Sequence, residues 1–217
     1  MKVKIEWTYK TINKQVITLT SEEISVEAAL SISEDFERTG RTNELLFYDE
    51  KDTKWTKKEL IRLSKELETE PSDIIVYFDG GYDNNNKQAG LGAVIYYSQN
   101  NKKYRLRSNA LFSEIETNNE AEYAALWYLL GQVEELGIHH ISVTFRGDSH
   151  VVLNQLSGDW PCFDEVYNTW LDKIEDKIRQ LGIRPHYEPI SRKQNGEADQ
   201  LASQALEGIV IHSNVEI

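Results

Sequence analysis

Asp79, Glu122, Asp148 and Asp199 are the residues whose types and spacing could do chemistry. Asp79 closes the apolar run Ile74-Ile75-Val76-Tyr77-Phe78 and precedes Gly80-Gly81. Glu122 falls in the first turn of a helix opened by Thr117-Asn118-Asn119, and Asp148 follows the strand-like Ile141-Ser142-Val143-Thr144-Phe145. Asp199 sits near the start of the last helix. Strand ends and helix starts are where open α/β sheets build their sites. Four carboxylates gathered there repel one another unless divalent cations hold them together. The chemistry such a cluster supports is phosphodiester hydrolysis by two metal ions. Each acid also has an ordinary reading. Asp79 suits a turn, Asp148-Ser149 a helix N-cap, and Glu122 and Asp199 the positive end of a helix dipole.

The elements that must position these acids follow from periodicity and punctuation. The spacing predicts three strands, over 74–78, 90–97 and 103–111, with Asn100-Asn101 turning the second hairpin. A helix over 119–136 ends at Gly137, a fourth strand spans 141–145, and a short helix runs over 149–156. An amphipathic helix over 163–181 carries Val166, Trp170, Leu171, Ile174 and Ile178 on one stripe. A strand over 183–190 and a helix over 196–207 complete the domain. The tail, 209–217, is too short to assign. This order implies a mixed five-stranded sheet with helices on both faces, an α/β fold.

A proline in Glu70-Pro71-Ser72 separates this domain, 72–208, from residues 1–70. The first segment reads as a small α+β unit in the order ββαβα. Its helices begin at Ser25, an N-cap, and at Thr56, with Glu59 completing a capping box.

Composition sets the bounds. The 217 residues suffice for one sizeable domain and a small one, and 40% hydrophobic content with five Trp makes wholesale disorder untenable. A single cysteine, Cys162, excludes an intramolecular disulfide framework. No stretch approaches the roughly 20 apolar residues of a membrane span, and no signal-peptide run opens the chain. The cytoplasm is therefore the expected compartment, with no membrane partner. A net charge of −12 argues against tight, sequence-independent scanning of duplexes. Bound cations would reverse the local sign inside a carboxylate cluster. Among other candidates, His139-His140 fits a surface turn better than a metal pair, and Ala89-Gly90-Leu91-Gly92 lies within a hairpin, where glycines allow close approach of a ligand or a neighbouring strand.

Taken in order, Tyr77-Phe78-Asp79-Gly80-Gly81, Thr117-Asn118-Asn119-Glu120-Ala121-Glu122, Gly147-Asp148-Ser149 and Asn195-Gly196-Glu197-Ala198-Asp199 resemble ribonuclease H type I, in its bacterial reverse-transcriptase-like branch. The resemblance implies a ribonuclease H-like fold and an endonuclease that cuts the RNA strand of RNA–DNA hybrids with two Mg²⁺ or Mn²⁺ ions. It selects Glu122 over Glu120 as the helix acid. It also makes Asp79, Glu122, Asp148 and Asp199 the catalytic metal ligands. Gly80, Gly81, Asn118, Asn119, Ser149, Arg192 and Lys193 become the expected substrate contacts. Two departures accompany it. The loop Ser191-Arg192-Lys193-Gln194-Asn195 lacks the histidine many relatives carry, and Ser157 to Glu165 is acidic and aromatic where some relatives have a basic handle. A binding module with little turnover is the alternative these departures suggest. Residues 1–70 are open to three roles: contact with the hybrid, contact with a protein partner, or a purely structural one.

Overall fold

The computed structural model describes residues 1–217, the side chain of Leu67 excepted. The chain divides into two compact units, Met1–Thr69 and Glu70–Ile217.

In the first unit, β1 (Lys2–Lys10) and β2 (Val16–Thr20) form a hairpin, followed by a two-residue strand β3 (Ile24–Ser25) and α1 (Val26–Arg38). Then come β4 (Thr42–Asp49), a second short strand β5 (Lys54–Trp55) and α2 (Lys57–Thr69). The two short strands are additions to the expected ββαβα order. The sheet runs β2-β1-β4-β5, with β3 paired to β1. Alternation in β1 turns Val3 and Ile5 into a small core with Val26, Ala29, Phe47 and Leu60. Ser25 caps α1 by accepting from the Ala28 N–H. At α2 the Thr56 hydroxyl accepts from the Glu59 N–H while the Glu59 carboxylate accepts from the Thr56 N–H. This is the reciprocal pattern of a capping box.

The second unit is built on β6 (Ser72–Asp83), β7 (Gln88–Gln99), β8 (Lys102–Ser113), β9 (Ser142–Gly147), β10 (Arg184–Pro189) and β11 (His212–Glu216). Their order is β10-β9-β6-β7-β8-β11. The five expected strands are present, and the unassigned tail supplies a sixth, antiparallel to β8. β6 pairs antiparallel with β7 and parallel with β9, so the sheet is mixed. Asn100 and Asn101 both take positive φ, as a two-residue hairpin turn between β7 and β8 demands.

The helices are α3 (Asn118–Glu135), α4 (His150–Leu156), α5 (Glu165–Gln180) and α6 (Gly196–Leu206). Phe78, Val76, Leu126, Leu130, Phe145 and Ile174 belong to the main core, which joins one sheet face to α3, α4 and α5. α3 is buried around most of its circumference, with Ala121, Tyr123, Ala125, Leu126 and Leu129 all inside. On the other face, α6 packs through Ala198 and Leu201 onto Val94. A Cβ at Gly90 or Gly92 would collide with the carbonyl oxygens of Ala202 and Ala198. What approaches these glycines is therefore the helix α6 rather than the expected ligand or strand, and their smallness sets its distance from the sheet. No helix among the described residues is long and apolar enough to cross a membrane.

Candidate active site

The four acids arrive at one end of the second unit's sheet from four elements. Asp79 lies within β6, opposite Gly92 of β7, since the strand continues past Gly80-Gly81 to Asp83. It is 7% exposed. Asp148 follows the last residue of β9, the strand parallel to β6. The helix-cap alternative for this pair fails at Ser149, whose side chain makes no capping hydrogen bond.

Glu122 and Glu120 part company. The Glu122 carboxylate accepts from the Gly80 N–H at 3.3 Å, which brings it against β6 beside Asp79. Glu120 is also buried but faces α5, accepting from the Trp170 indole N–H at 3.1 Å and from the Glu116 N–H at 2.9 Å. Two residues on a helix point about 200° apart, so one acid serves the sheet side and the other braces α5. The periodicity left this choice open; the packing separates them. Glu120→Ala is expected to lower stability by about 2 kcal/mol, since it strands the buried Trp170 indole donor and frees the Glu116 N–H. Urea denaturation measures it.

The last acid, Asp199, follows the loop 191–195. There Arg192 reaches back to Asp199 with a 3.0 Å ion pair, its own side chain 82% exposed. The residue that ties the cluster together is Asn195. It is 1% exposed, and its amide nitrogen donates to the Phe78 carbonyl at 2.9 Å, to Asp79 at 3.3 Å and to Asp148 at 2.6 Å. Its own Oδ1 is buried without a donor. Position at the start of α6 makes Asn195 read as an ordinary N-cap in the sequence, yet it makes no capping bond. A polar residue four before Asp199, on the same helix turn, was the one available signal.

Electrostatics reflects the crowding. Burial first, then the charges of Asp148 and Asp199, push Asp79 up to about 7, with Arg192 pulling the other way. Burial, then Asp79 and Asp148, push Glu122 up to about 9. Asp79 is thus in charge contact with Glu122, Asp148 and Asp199. The cluster tolerates itself here through protonation and through Arg192. Among the described residues no three acids, histidines or cysteines stand ready around one ion. The donor set nonetheless fits a hard divalent cation, being all carboxylate, with no thiol or imidazole in it.

The other expected contacts divide. Asn118, Asn119, Arg192 and Lys193 are exposed on the first turn of α3 and on the loop before α6. Ser149 is half-buried beside Asp148. Gly80 and Gly81 have packing partners: a Cβ on the first would meet α3, and on the second Leu206 and Ala202 of α6. This gives both glycines a reason within the fold.

Residues 77–205 match the family described as reverse transcriptase-like. The chain belongs to this family. A Bacillus subtilis (strain 168) relative, YpeP, described as uncharacterized, is 47% identical over 194 residues, covering 89% of this chain and 85% of YpeP. Ribonuclease H1 from the halophilic archaeon Halobacterium salinarum NRC-1 superposes with a TM-score of 0.54 at 26% identity, covering 62% of this chain and 98% of its own. The N-terminal ribonuclease H domain of Mycobacterium tuberculosis rv2228c gives 0.54 at 27% identity, covering 63% and 94%. LC11-RNase H1, solved in complex with an RNA/DNA hybrid, gives 0.53 at 27% identity, covering 63% and 98%. This member of the reverse transcriptase-like family therefore has a ribonuclease H-like fold.

Proposed function

We propose that this protein is a metal-dependent endoribonuclease that hydrolyses the RNA strand of RNA–DNA hybrids. The observation that carries the reading is the gathering of the four acids from four separate elements at one end of a ribonuclease H-like sheet, with Asp79 and Asp148 sharing the Asn195 amide, Glu122 on the Gly80 N–H and Asp199 one helical turn after Asn195. Asp79, Glu122, Asp148 and Asp199 would hold two Mg²⁺ or Mn²⁺ ions. When bound, such ions activate a water and stabilise the departing oxygen of an in-line displacement. The chain's own residues set up that chemistry. Asn195 fixes the orientation of Asp79 and Asp148, and the Gly80 N–H fixes Glu122. Arg192, on an exposed stem, is placed to offer positive charge to a phosphate when it leaves Asp199. Asn118, Asn119 and Ser149 carry short donors suited to the 2′-hydroxyls that distinguish RNA from DNA. Lys193 adds a second cation on the loop. Residues 1–70 form an accessory domain that contacts the hybrid or a protein partner.

The test is a panel of labelled RNA–DNA hybrid, duplex RNA and single strands, each with Mg²⁺, Mn²⁺ or chelator. Cleavage of the hybrid's RNA strand alone, abolished by chelator, is expected. Hybrid binding with no product under either metal would favour the second reading, a binding module. The loop without a histidine and the Arg192–Asp199 pair motivate that reading.

A further inference from the structure

A groove apart from the acids has the chemistry of a base-and-phosphate site. It encloses about 420 Å³, and its lining includes Phe112 at the end of β8, Trp127 of α3, and Trp170, Lys173, Asp176 and Lys177 of α5. Trp170, 7% exposed, is its floor. Phe112 and Trp127 stand edge-on to that floor at 69° and 66°, with ring centroids 6.2 and 6.3 Å away. Both walls remain open to solvent, 37% and 42% exposed.

The charge around it is not neutral. Lys177 is paired with Glu134, and Asp176 with Arg179. Lys173 has its ammonium 4.7 Å from the centre of the Trp170 ring and, among the described residues, forms no ion pair. An unneutralised cation beside three aromatic rings is unusual on a chain of net charge −12. Aromatic walls accept any flat π-face, and a lysine at the rim accepts an anion.

Position narrows the occupant further. The Trp170 indole is bonded to Glu120, the neighbour of Asn119 in the first turn of α3. Phe112 pairs with Ala89 of β7, which pairs with Tyr82, three residues past Asp79 on β6. One side of the groove, Phe112 and Trp170, thus lies toward the carboxylate end of the sheet, while Lys177, paired with Glu134, lies toward the C-terminal end of α3. A duplex keeps its bases stacked inside and presents none to such a slot.

We propose that this groove binds an unpaired nucleotide, its base between Phe112 and Trp127 and its phosphate on Lys173. The occupant is then the single strand flanking a hybrid. The identity of that flank rests on the proposed function, but the binding itself does not require cleavage.

The test uses full-length protein and a short fluorescein-labelled oligothymidylate without divalent ions, read by anisotropy. Trp127→Ala should weaken binding about tenfold, and Trp127→Phe should restore most of it. Lys173→Ala should flatten the dependence of log affinity on log salt by about 0.7. Cleavage of blunt hybrid should be unchanged in all three. Equal affinity in wild type and both alanine variants overturns the proposal. So does a wild type that binds no single strand while still cutting blunt hybrid, a result that leaves the nuclease reading standing. Strand binding sensitive to Trp127 in a protein that cuts nothing supports the groove and removes the nuclease.

Discussion

Asp79→Asn is expected to reduce hybrid cleavage by about 10³-fold or more and, in the same protein without divalent ions, to raise the melting temperature near pH 8. The first effect follows from removing a ligand whose ion supplies several kcal/mol of transition-state stabilisation. The second follows from the burial that pushes Asp79 up from 3.8 to about 7. A carboxyl whose folded pKa is raised costs nothing at a pH below its unfolded pKa, where it is protonated in both states. Between about pH 4 and 7 the unfolded chain ionises freely and the folded one resists, so stability is lost as pH rises. Three units correspond to about 4 kcal/mol of penalty above pH 7. Asparagine keeps an oxygen for the Asn195 amide and carries no charge, so it removes that penalty. A gain of roughly 5–10 °C is expected near pH 8, with almost none near pH 4. Mg²⁺ should stabilise the wild type and barely move the variant. A calorimetric scan across pH, with and without Mg²⁺, measures both arms. A variant no more stable than wild type near pH 8 would mean that the acids do not crowd one another in solution.

Gly80→Ala is expected to damage fold and site together. Its Cβ would stand against the carbonyl carbon and oxygen of Ala121 and 2.6 Å from the Glu122 nitrogen. All of these are backbone atoms in the first turns of α3, so the helix itself must move away from β6. Overpacking against immovable backbone costs about 3 kcal/mol or more. The displaced helix carries Glu122 away from Asp79, so cleavage should fall even at temperatures where the variant stays folded. Gly131→Ala is the matched control. Nothing lies within 4 Å of its added carbon, and alanine in a helix interior should stabilise by about 0.5–1 kcal/mol. Urea midpoints and initial cleavage rates for the pair separate strain from a generic intolerance of substitution.

The acids were legible because each sits at a punctuation point that the chain marks twice, once by apolar periodicity and once by a motif. That the sheet is mixed, with helices on both faces, followed from the same marks. What escaped did so for physical reasons. Asn195 hides in a helix-start position where asparagine is ordinary, and two of its three bonds reach residues more than a hundred positions away. Glu120 and Glu122 are both acids in a helix buried nearly all round, so no polar stripe sorts them. The glycines of β7 announced a close neighbour without saying that it would be α6. The aromatic groove draws single residues from β8, α3 and α5, and no local pattern encodes it. The closing strand, His212–Glu216, has Val215 as its one apolar residue, so no alternation marked it.

That closing strand has a consequence for handling the protein. By lying along β8 and linking Lys102 to Glu216, residues 212–216 occupy the backbone donors and acceptors at that border of the sheet. Trimming them would leave a long ribbon of unpaired peptide groups on β8 as a template for another chain, inviting self-association.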